Sequence, residues 1–505
     1  MDQLVKYFVP PYRIHILKDS SGRQYYSPSP AFETSRYFSL TNAIERKILS
    51  QSGFLDTKVI RLQSLFSYLE QAVKEQLANY SLKAPSVSKS FFIDWMVYRI
   101  VGLEEIMPLL LDDYVQEIYL DKPNTSLYLD HQDFGRCVSD VNLSDSVLER
   151  LKTRLCLEKD AIINYLNPSL KVDVQTDKFH IRATMDAPPL ASEGISLNVR
   201  KLRKKIWTLP ELIDNKMLSI EAAAYLFFIM HHRKNITIIG EPGTGKTTLA
   251  NAIDLLTPSQ WRKITIEDVI ESIDQSKYNK FQTRFVVSPF EAKNSRRSKS
   301  EEIIKLLHRS PSWVYLGEIQ TAEHSRALFE ALSAGLVGIQ TCHGRTIELM
   351  LMRWVHQHEI SLASLLSLDL LISVSSSFND WKIVRKVNRL SEIPKDLCSS
   401  QIFNKIDEIQ LIDIFTFCPK KQSLTKQIDL FETPLVKTLR KSKNLSRNEF
   451  EKELEFISNL LNYLIEKKIF DPSQLVNLFN NLTLKQVPFD LDNLGQMISK
   501  PINET

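Results

Sequence analysis

Glycine is scarce in this chain, 13 among 505 residues, and seven of the 13 fall between Gly240 and Gly344, three of them within Gly240 to Gly245. Glycine tolerates positive φ and lets another group approach the main chain closely. A chain that spends it so sparingly and then concentrates it is shaping its backbone there. The cluster follows an apolar run, Asn235-Ile236-Thr237-Ile238-Ile239, and precedes Thr247-Thr248-Leu249-Ala250-Asn251, which reads as the start of a helix. Strand, glycine turn and helix in that order predict an α/β fold with the turn at the carboxyl edge of a sheet.

The remaining organisation agrees with that constraint. Strand-like runs at 235–240, 262–268, 312–318, 338–343 and 368–375 alternate with helical stretches, which implies a parallel sheet covered on both faces. Residues 214–390 are therefore one α/β domain. Short β-like runs mixed with a helical stretch predict an α+β N-terminal domain over 101–200, and the basic stretch without apolar period at 201–213 reads as a linker. Three- and four-residue apolar spacing over 41–82 makes residues 1–100 a small helical N-terminal segment. Residues 391–505 read as a mainly helical C-terminal extension, and there is no internal repeat.

Composition excludes other classes. With 43% hydrophobic and 25% charged residues the chain is neither disordered nor collagen-like. A net charge of +4 from 64 basic and 60 acidic side chains predicts no nucleic-acid partner. The most apolar run, Ala222 to Met230, is far shorter than the roughly 20 residues of a membrane span, and the first 30 residues carry no signal-peptide pattern, so a cytoplasmic location is expected. Cys137, Cys156, Cys342, Cys398 and Cys418 are widely spaced without a CxxC pair and read as reduced thiols.

Gly240-Glu241-Pro242-Gly243-Thr244-Gly245-Lys246-Thr247 is a complete P-loop pattern in its required setting. Glycines let successive N–H groups turn inward around a β-phosphate, and the helix N-terminus adds positive potential. Lys246 is the ammonium that reaches the β- and γ-phosphates. Thr247 offers a hydroxyl to Mg2+, and Thr248 continues the first helical turn of the nucleotide site. ATP is the expected substrate and Mg2+ the expected cofactor.

Three further strands bring charged groups to the same edge. Glu267, Asp268 and Glu271 end one, Glu318 follows Gly317 on a second, and His343 ends a third. One acid can hold the magnesium's water shell while another takes a proton from the attacking water, and the histidine can donate to the γ-phosphate. Taken singly, each has a plain alternative: a solvated acidic loop or a structural histidine. Spacing alone does not separate Glu267 from Glu271.

In this order the P-loop, Thr265–Glu271, Val314–Glu323 and Thr341–Gly344 resemble the Walker A, Asp box, Gly-Glu Walker B and His box of the type II/type IV secretion ATPase superfamily, across about Leu103 to Arg385. The resemblance implies a RecA-like P-loop ATPase domain. It makes Glu318, with Thr247, the metal-serving residue, and Glu271 the first choice of base, with Glu267 next. Leu109–Gly135 and Ile181–Lys201 resemble the N-terminal domain of the archaeal branch, which implies Arg200 and Arg182 as nucleotide contacts. It also implies a homo-hexamer that docks peripherally at the inner face of the membrane, on a polytopic platform protein, and drives a type IV pilus-like filament or secretion. The chain departs from the family where Leu307-His308-Arg309-Ser310-Pro311-Ser312 replaces Leu-Arg-x-Arg-Pro-Asp, where Gln320 replaces the arginine of Gly-Glu-x-Arg, and where Leu336 replaces a histidine. Arg309 and Arg284 are the candidate substitutes. Two other classes stay open: a nucleic-acid-translocating motor, and a regulatory nucleotide-binding module with little hydrolysis. The basic run Lys437 to Arg447 reads as a solvated helix face.

Overall fold

The computed structural model describes residues 2–51, 61–78, 89–202, 206–287, 298–379, 382–394 and 411–484. Cys398 and residues 203–205 of the expected linker lie outside these. The chain forms two compact units, Met1–Lys205 with Phe378–Ile383, and Ile206–Ser377 with Val384–Thr505.

The first unit is built on nine strands: β1 (Asp2–Val9), β2 (Tyr12–Lys18), β3 (Gln24–Pro30), β4 (Val115–Leu120), β5 (Ser126–His131), β6 (Gly135–Asn142), β7 (Ser169–Gln175), β8 (His180–Asp186) and β9 (Ser196–Lys201). Their order in the sheet is β1-β2-β3-β6-β5-β4-β9-β8-β7. Every neighbouring pair is antiparallel except β3 with β6. The first 30 residues were expected to lead a helical segment and instead form three strands. The reason is period-2 patterning: Tyr12, Ile14 and Ile16 are buried while Arg13 is exposed and His15 half-buried, the alternation of a sheet with one covered face. Helices follow at Phe38–Gln51, Leu62–Ala78 and Lys89–Val101. The second of these buries Leu62, Leu65, Phe66, Leu69, Val73 and Leu77, spaced three and four apart as an amphipathic helix requires. Buried Asp112 accepts from Tyr7 Oη at 2.5 Å and Tyr26 Oη at 2.9 Å, tying β1 and β3 to the chain just before β4.

The second unit also has nine strands: β10 (Ile236–Gly240), β11 (Lys263–Glu267), β12 (Gln282–Val286), β13 (Trp313–Ile319), β14 (Gly338–His343), β15 (Leu370–Asn379), β16 (Lys382–Glu392), β17 (Ile412–Cys418) and β18 (Ser423–Lys426). The order is β12-β11-β13-β14-β10-β15-β16-β17-β18. The pairs from β12 through β15 are parallel, and β16-β17 and β17-β18 are antiparallel. Every residue of β10 and β11 is buried, because helices cover both faces of a parallel sheet. This is the α/β architecture expected from the alternating pattern. On one face Leu249, Ala250 and Ile253 of the helix Lys246–Asp254 pack with Ile236, Ile238 and Ile372, and on the other Ile347, Met350 and Trp354 pack with Ile239, Ile266 and Leu371.

The apolar run Ala222–Met230 is a core helix, wholly buried in this unit. Residues 391–505 were expected to be mainly helical; among the described ones β16 runs on to Glu392, and β17 and β18 continue the same sheet. The helices that follow, Pro434–Lys443, Arg447–Glu466 and Pro472–Leu484, bury Leu439, Phe450, Leu464 and Phe479 in the core shared with Phe228. In the basic run, Lys437 and Arg440 face Glu432, and Arg447 pairs with Asp429 and Glu451. That is a surface face laced by local ion pairs.

Candidate nucleotide site

The P-loop leaves β10 at Gly240 and enters its helix at Lys246, with Gly243 at φ +75° and Gly245 at φ +93°. At Gly240 the constraint is space: an added Cβ would lie 2.6 Å from Thr244 Oγ1 and 2.7 Å from the Val374 carbonyl oxygen. Glu241, Pro242 and Gly243 are exposed, Thr244 is buried, and Gly245, Thr247 and Thr248 are half-buried.

Lys246 is 6% exposed, and its Nζ donates to the carbonyls of Gly240 at 2.9 Å and Glu241 at 3.0 Å and meets His343 Nδ1 at 3.1 Å. An ammonium only donates, so Nδ1 accepts, and the ring's Nε2 carries the proton toward Glu318 Oε1, its partner on the other side. Sheet order explains this chain of contacts. β14 lies between β10 and β13, with His343 opposite Gly240 and Cys342 opposite Ile319. The other oxygen of Glu318 accepts from Gln320 Nε2. Cys342 is fully buried and burial pushes its thiol up to about 12, so it stays protonated and is no nucleophile.

Glu267 and Glu271 occupy different surroundings. Glu267 is 2% exposed; Oε1 accepts from the backbone N–H of Glu271 at 3.1 Å and Ser272 at 2.9 Å, and Oε2 accepts from Ser272 Oγ at 2.5 Å. Burial, aided by the nearby Glu271 charge and opposed by these hydrogen bonds, pushes its carboxyl up to about 7. Its stem also explains Gly317, where a Cβ would stand 2.9 Å from Glu267 Cγ. Glu271 is half-buried, and its carbonyl accepts from Asn251 Nδ2 at 2.8 Å, so the loop after β11 is fastened to the P-loop helix. The third acid, Asp268, pairs with Lys299 at 3.1 Å; Lys299 is fully buried and also donates to the Glu318 carbonyl.

The far end of the P-loop helix is closed by two buried lysines. Lys263 Nζ donates to the Asp254 carbonyl at 2.7 Å and pairs with its carboxylate at 3.0 Å, while Lys280 Nζ donates to the carbonyls of Leu255 and Thr257. Donors there satisfy carbonyls that the last turn of a helix leaves without an intrahelical partner.

Arg182 and Arg200 lie in the first unit, opposite one another on β8 and β9, with Arg182 Nε 2.9 Å from Asp173 Oδ1. Arg309 pairs with Glu302 at 2.7 Å and sits over the Phe285 ring, and Arg284 pairs with Asp274 at 3.1 Å. The guanidinium groups that touch the P-loop itself are others: Arg345 Nε meets Glu241 Oε1 at 3.0 Å, and Arg385 Nε donates to the Gly243 carbonyl at 2.9 Å. Sequence reasoning missed both, together with Lys299 and Asn251. Arg345 adjoins His343 and could have been found from that; Arg385 carries no local signal.

Among the described residues no group of three or more His, Cys, Asp or Glu side chains could hold a metal, and no helix is long and apolar enough to cross a membrane. Mg2+ typically takes few protein oxygens and completes its shell with water and phosphate. A hydroxyl on the first helical turn and a half-buried carboxylate at a strand end, Thr247 and Glu318, fit that habit.

A family model described as "Type II/IV secretion system protein" matches residues 139–373. An uncharacterised protein of Methanocaldococcus jannaschii is 26% identical over 256 residues, 50% of this chain and 90% of its own length. A second uncharacterised protein of that organism is 22% identical across 95% of this chain and 89% of its own. The type IV secretion system protein PtlH of Bordetella pertussis is 26% identical over 272 residues, 50% of this chain and 79% of its own. Over residues 139–373, which hold the P-loop, the acids and His343, the chain is similar to type II/IV secretion system proteins.

Proposed function

We propose that this protein is an ATP-hydrolysing motor whose turnover drives secretion or the assembly of a type IV pilus-like filament. The observation that carries the reading is the row Lys246, His343, Glu318, each hydrogen-bonded to the next beside the P-loop. In this reading the amides of Gly243 to Thr248 cradle the phosphates, and Lys246 turns from the carbonyls of Gly240 and Glu241 to the β- and γ-phosphates. When bound through Thr247 and Glu318, Mg2+ offsets the charge on the β- and γ-oxygens. The His343 Nε2–H, released by Glu318, donates to the γ-phosphate. Glu271 takes the proton of the attacking water. Glu267 has its oxygens occupied by Glu271 and Ser272 and is shut off from solvent, so its part is to hold the loop that carries Glu271.

Arg182 and Arg200 reach the nucleotide when the first unit closes on the second about residues 201–213. Closure follows from unequal nucleotide affinity of the open and closed states, since a ligand that bound both equally would move nothing. Six copies form a ring at the cytoplasmic face of a membrane and pass the motion to a polytopic platform protein.

The test is steady-state phosphate release by purified protein with Mg2+ and ATP, beside Lys246→Ala and Glu271→Gln. The wild type releases phosphate well above both variants; equal background in all three removes the enzyme reading.

A further inference from the structure

The family match ends at residue 373 and β16 lies beyond it, yet β16 sends a side chain onto the phosphate cradle. Arg385 Nε donates to the Gly243 carbonyl at 2.9 Å, and its Cδ lies 3.4 Å from where a Cβ on Gly245 would stand. Met217 Cε is 3.5 Å from that same point, and the Met217 carbonyl accepts from the Val387 N–H at 2.8 Å, so β16 is fastened beside the loop. Gly243 sits at φ +75° with nothing within 4 Å of where its Cβ would be. Packing therefore does not hold it, and glycine is the residue with most backbone freedom to lose on ordering. Inward-facing amides require outward-facing carbonyls, and a donor on the Gly243 carbonyl holds the peptide in that orientation. The neighbouring Glu241 carbonyl accepts from Lys246 Nζ and from both the Oγ1 and the N–H of Thr244. If Lys246 leaves it for a phosphate, Thr244 and Arg385 are left to keep the loop in shape.

We propose that Arg385 is a positioning residue of the phosphate cradle, acting through the hydrogen bond from its Nε to the Gly243 carbonyl rather than through its charge. The inference rests on the P-loop being a nucleotide site. It predicts an effect on the β-phosphate cradle, hence on ATP and ADP alike, and on KM more than on kcat.

Glutamine carries an amide nitrogen the same number of bonds from Cα as the arginine Nε, so Arg385→Gln keeps the donor and removes the charge, while Arg385→Met keeps the length and removes both. Affinity for a fluorescent ATP analogue and a fluorescent ADP analogue is measured for wild type, both variants and Lys246→Ala, with melting temperature of the nucleotide-free proteins alongside. Losing one hydrogen bond weakens both nucleotides about five- to tenfold in Arg385→Met, at a melting temperature matching the glutamine variant, and Arg385→Gln recovers most of that affinity. Wild-type affinity in Arg385→Met, or a glutamine variant as weak as the methionine one, overturns the proposal while leaving the P-loop reading intact. Failure of the wild type to bind either nucleotide, or equal binding by Lys246→Ala, overturns the P-loop reading and the proposal with it.

Discussion

Replacing Glu267 with glutamine separates the price of a buried charge from the value of the hydrogen bonds it makes. Burial lifts this carboxyl from its ordinary 4.5 to about 7, so it binds a proton more tightly in the folded protein than in the unfolded chain. Stability from such a group is fully present below pH 4.5 and is lost as pH rises through 7. A shift of about 2.5 units at 1.36 kcal/mol each gives a total loss of about 3 kcal/mol, most of it between pH 5 and pH 8. Glutamine does not titrate, accepts the same two N–H groups through its oxygen and can donate to Ser272 Oγ. Urea denaturation of both proteins between pH 5 and pH 8 should show the stability of Glu267→Gln rising relative to wild type by roughly 2 to 3 kcal/mol. As a loop-holding residue, Glu267 should lose less than about tenfold in turnover on this change, against a hundredfold or more for Glu271→Gln, the usual worth of a general base. Parallel pH profiles in the two proteins would refute the burial argument, and a turnover loss in Glu267→Gln equal to that of Glu271→Gln would refute the division of roles.

Asn251→Ala unfastens the Glu271 carbonyl from the P-loop helix; steady-state kinetics should show kcat falling about tenfold, as expected of a modest misplacement, with nucleotide affinity changed little. Gly317→Ala brings a methyl to 2.9 Å from Glu267 Cγ and should destabilise the protein by about 1 to 3 kcal/mol in urea titration, with turnover lost as the Glu267 loop shifts. Lys263→Met leaves Asp254 buried without its cation and should lower stability by about 3 to 5 kcal/mol, read as a drop in thermal midpoint; an unchanged midpoint would mean the pair is neutral in the fold.

Local order along the chain determined a good deal of this protein. The strand-turn-helix of the P-loop is contiguous, its glycines are required by backbone angles and by space at Gly240, and its neighbours are set by nearest-residue patterning. Alternating apolar runs and helical stretches were enough for a parallel sheet, since only strands covered on both faces read as unbroken apolar segments. The same patterning was present in Tyr12, Ile14 and Ile16, but it was short and set among prolines and serines, so the opening strands read as a lead to helices. Strand order in the sheet, by contrast, is decided by packing. It sets β14 between β10 and β13, and so sets His343 between Lys246 and Glu318. Burial separates Glu267 from Glu271: Glu267 ends β11 and Glu271 lies four positions on in the loop that follows, and only the surrounding core makes one a shielded staple and leaves the other half-exposed. Arg385 reaches the P-loop from 142 positions downstream because β16 joins the sheet beside β15. A contact at that separation depends on how two distant segments pack, and no local window of sequence carries that information.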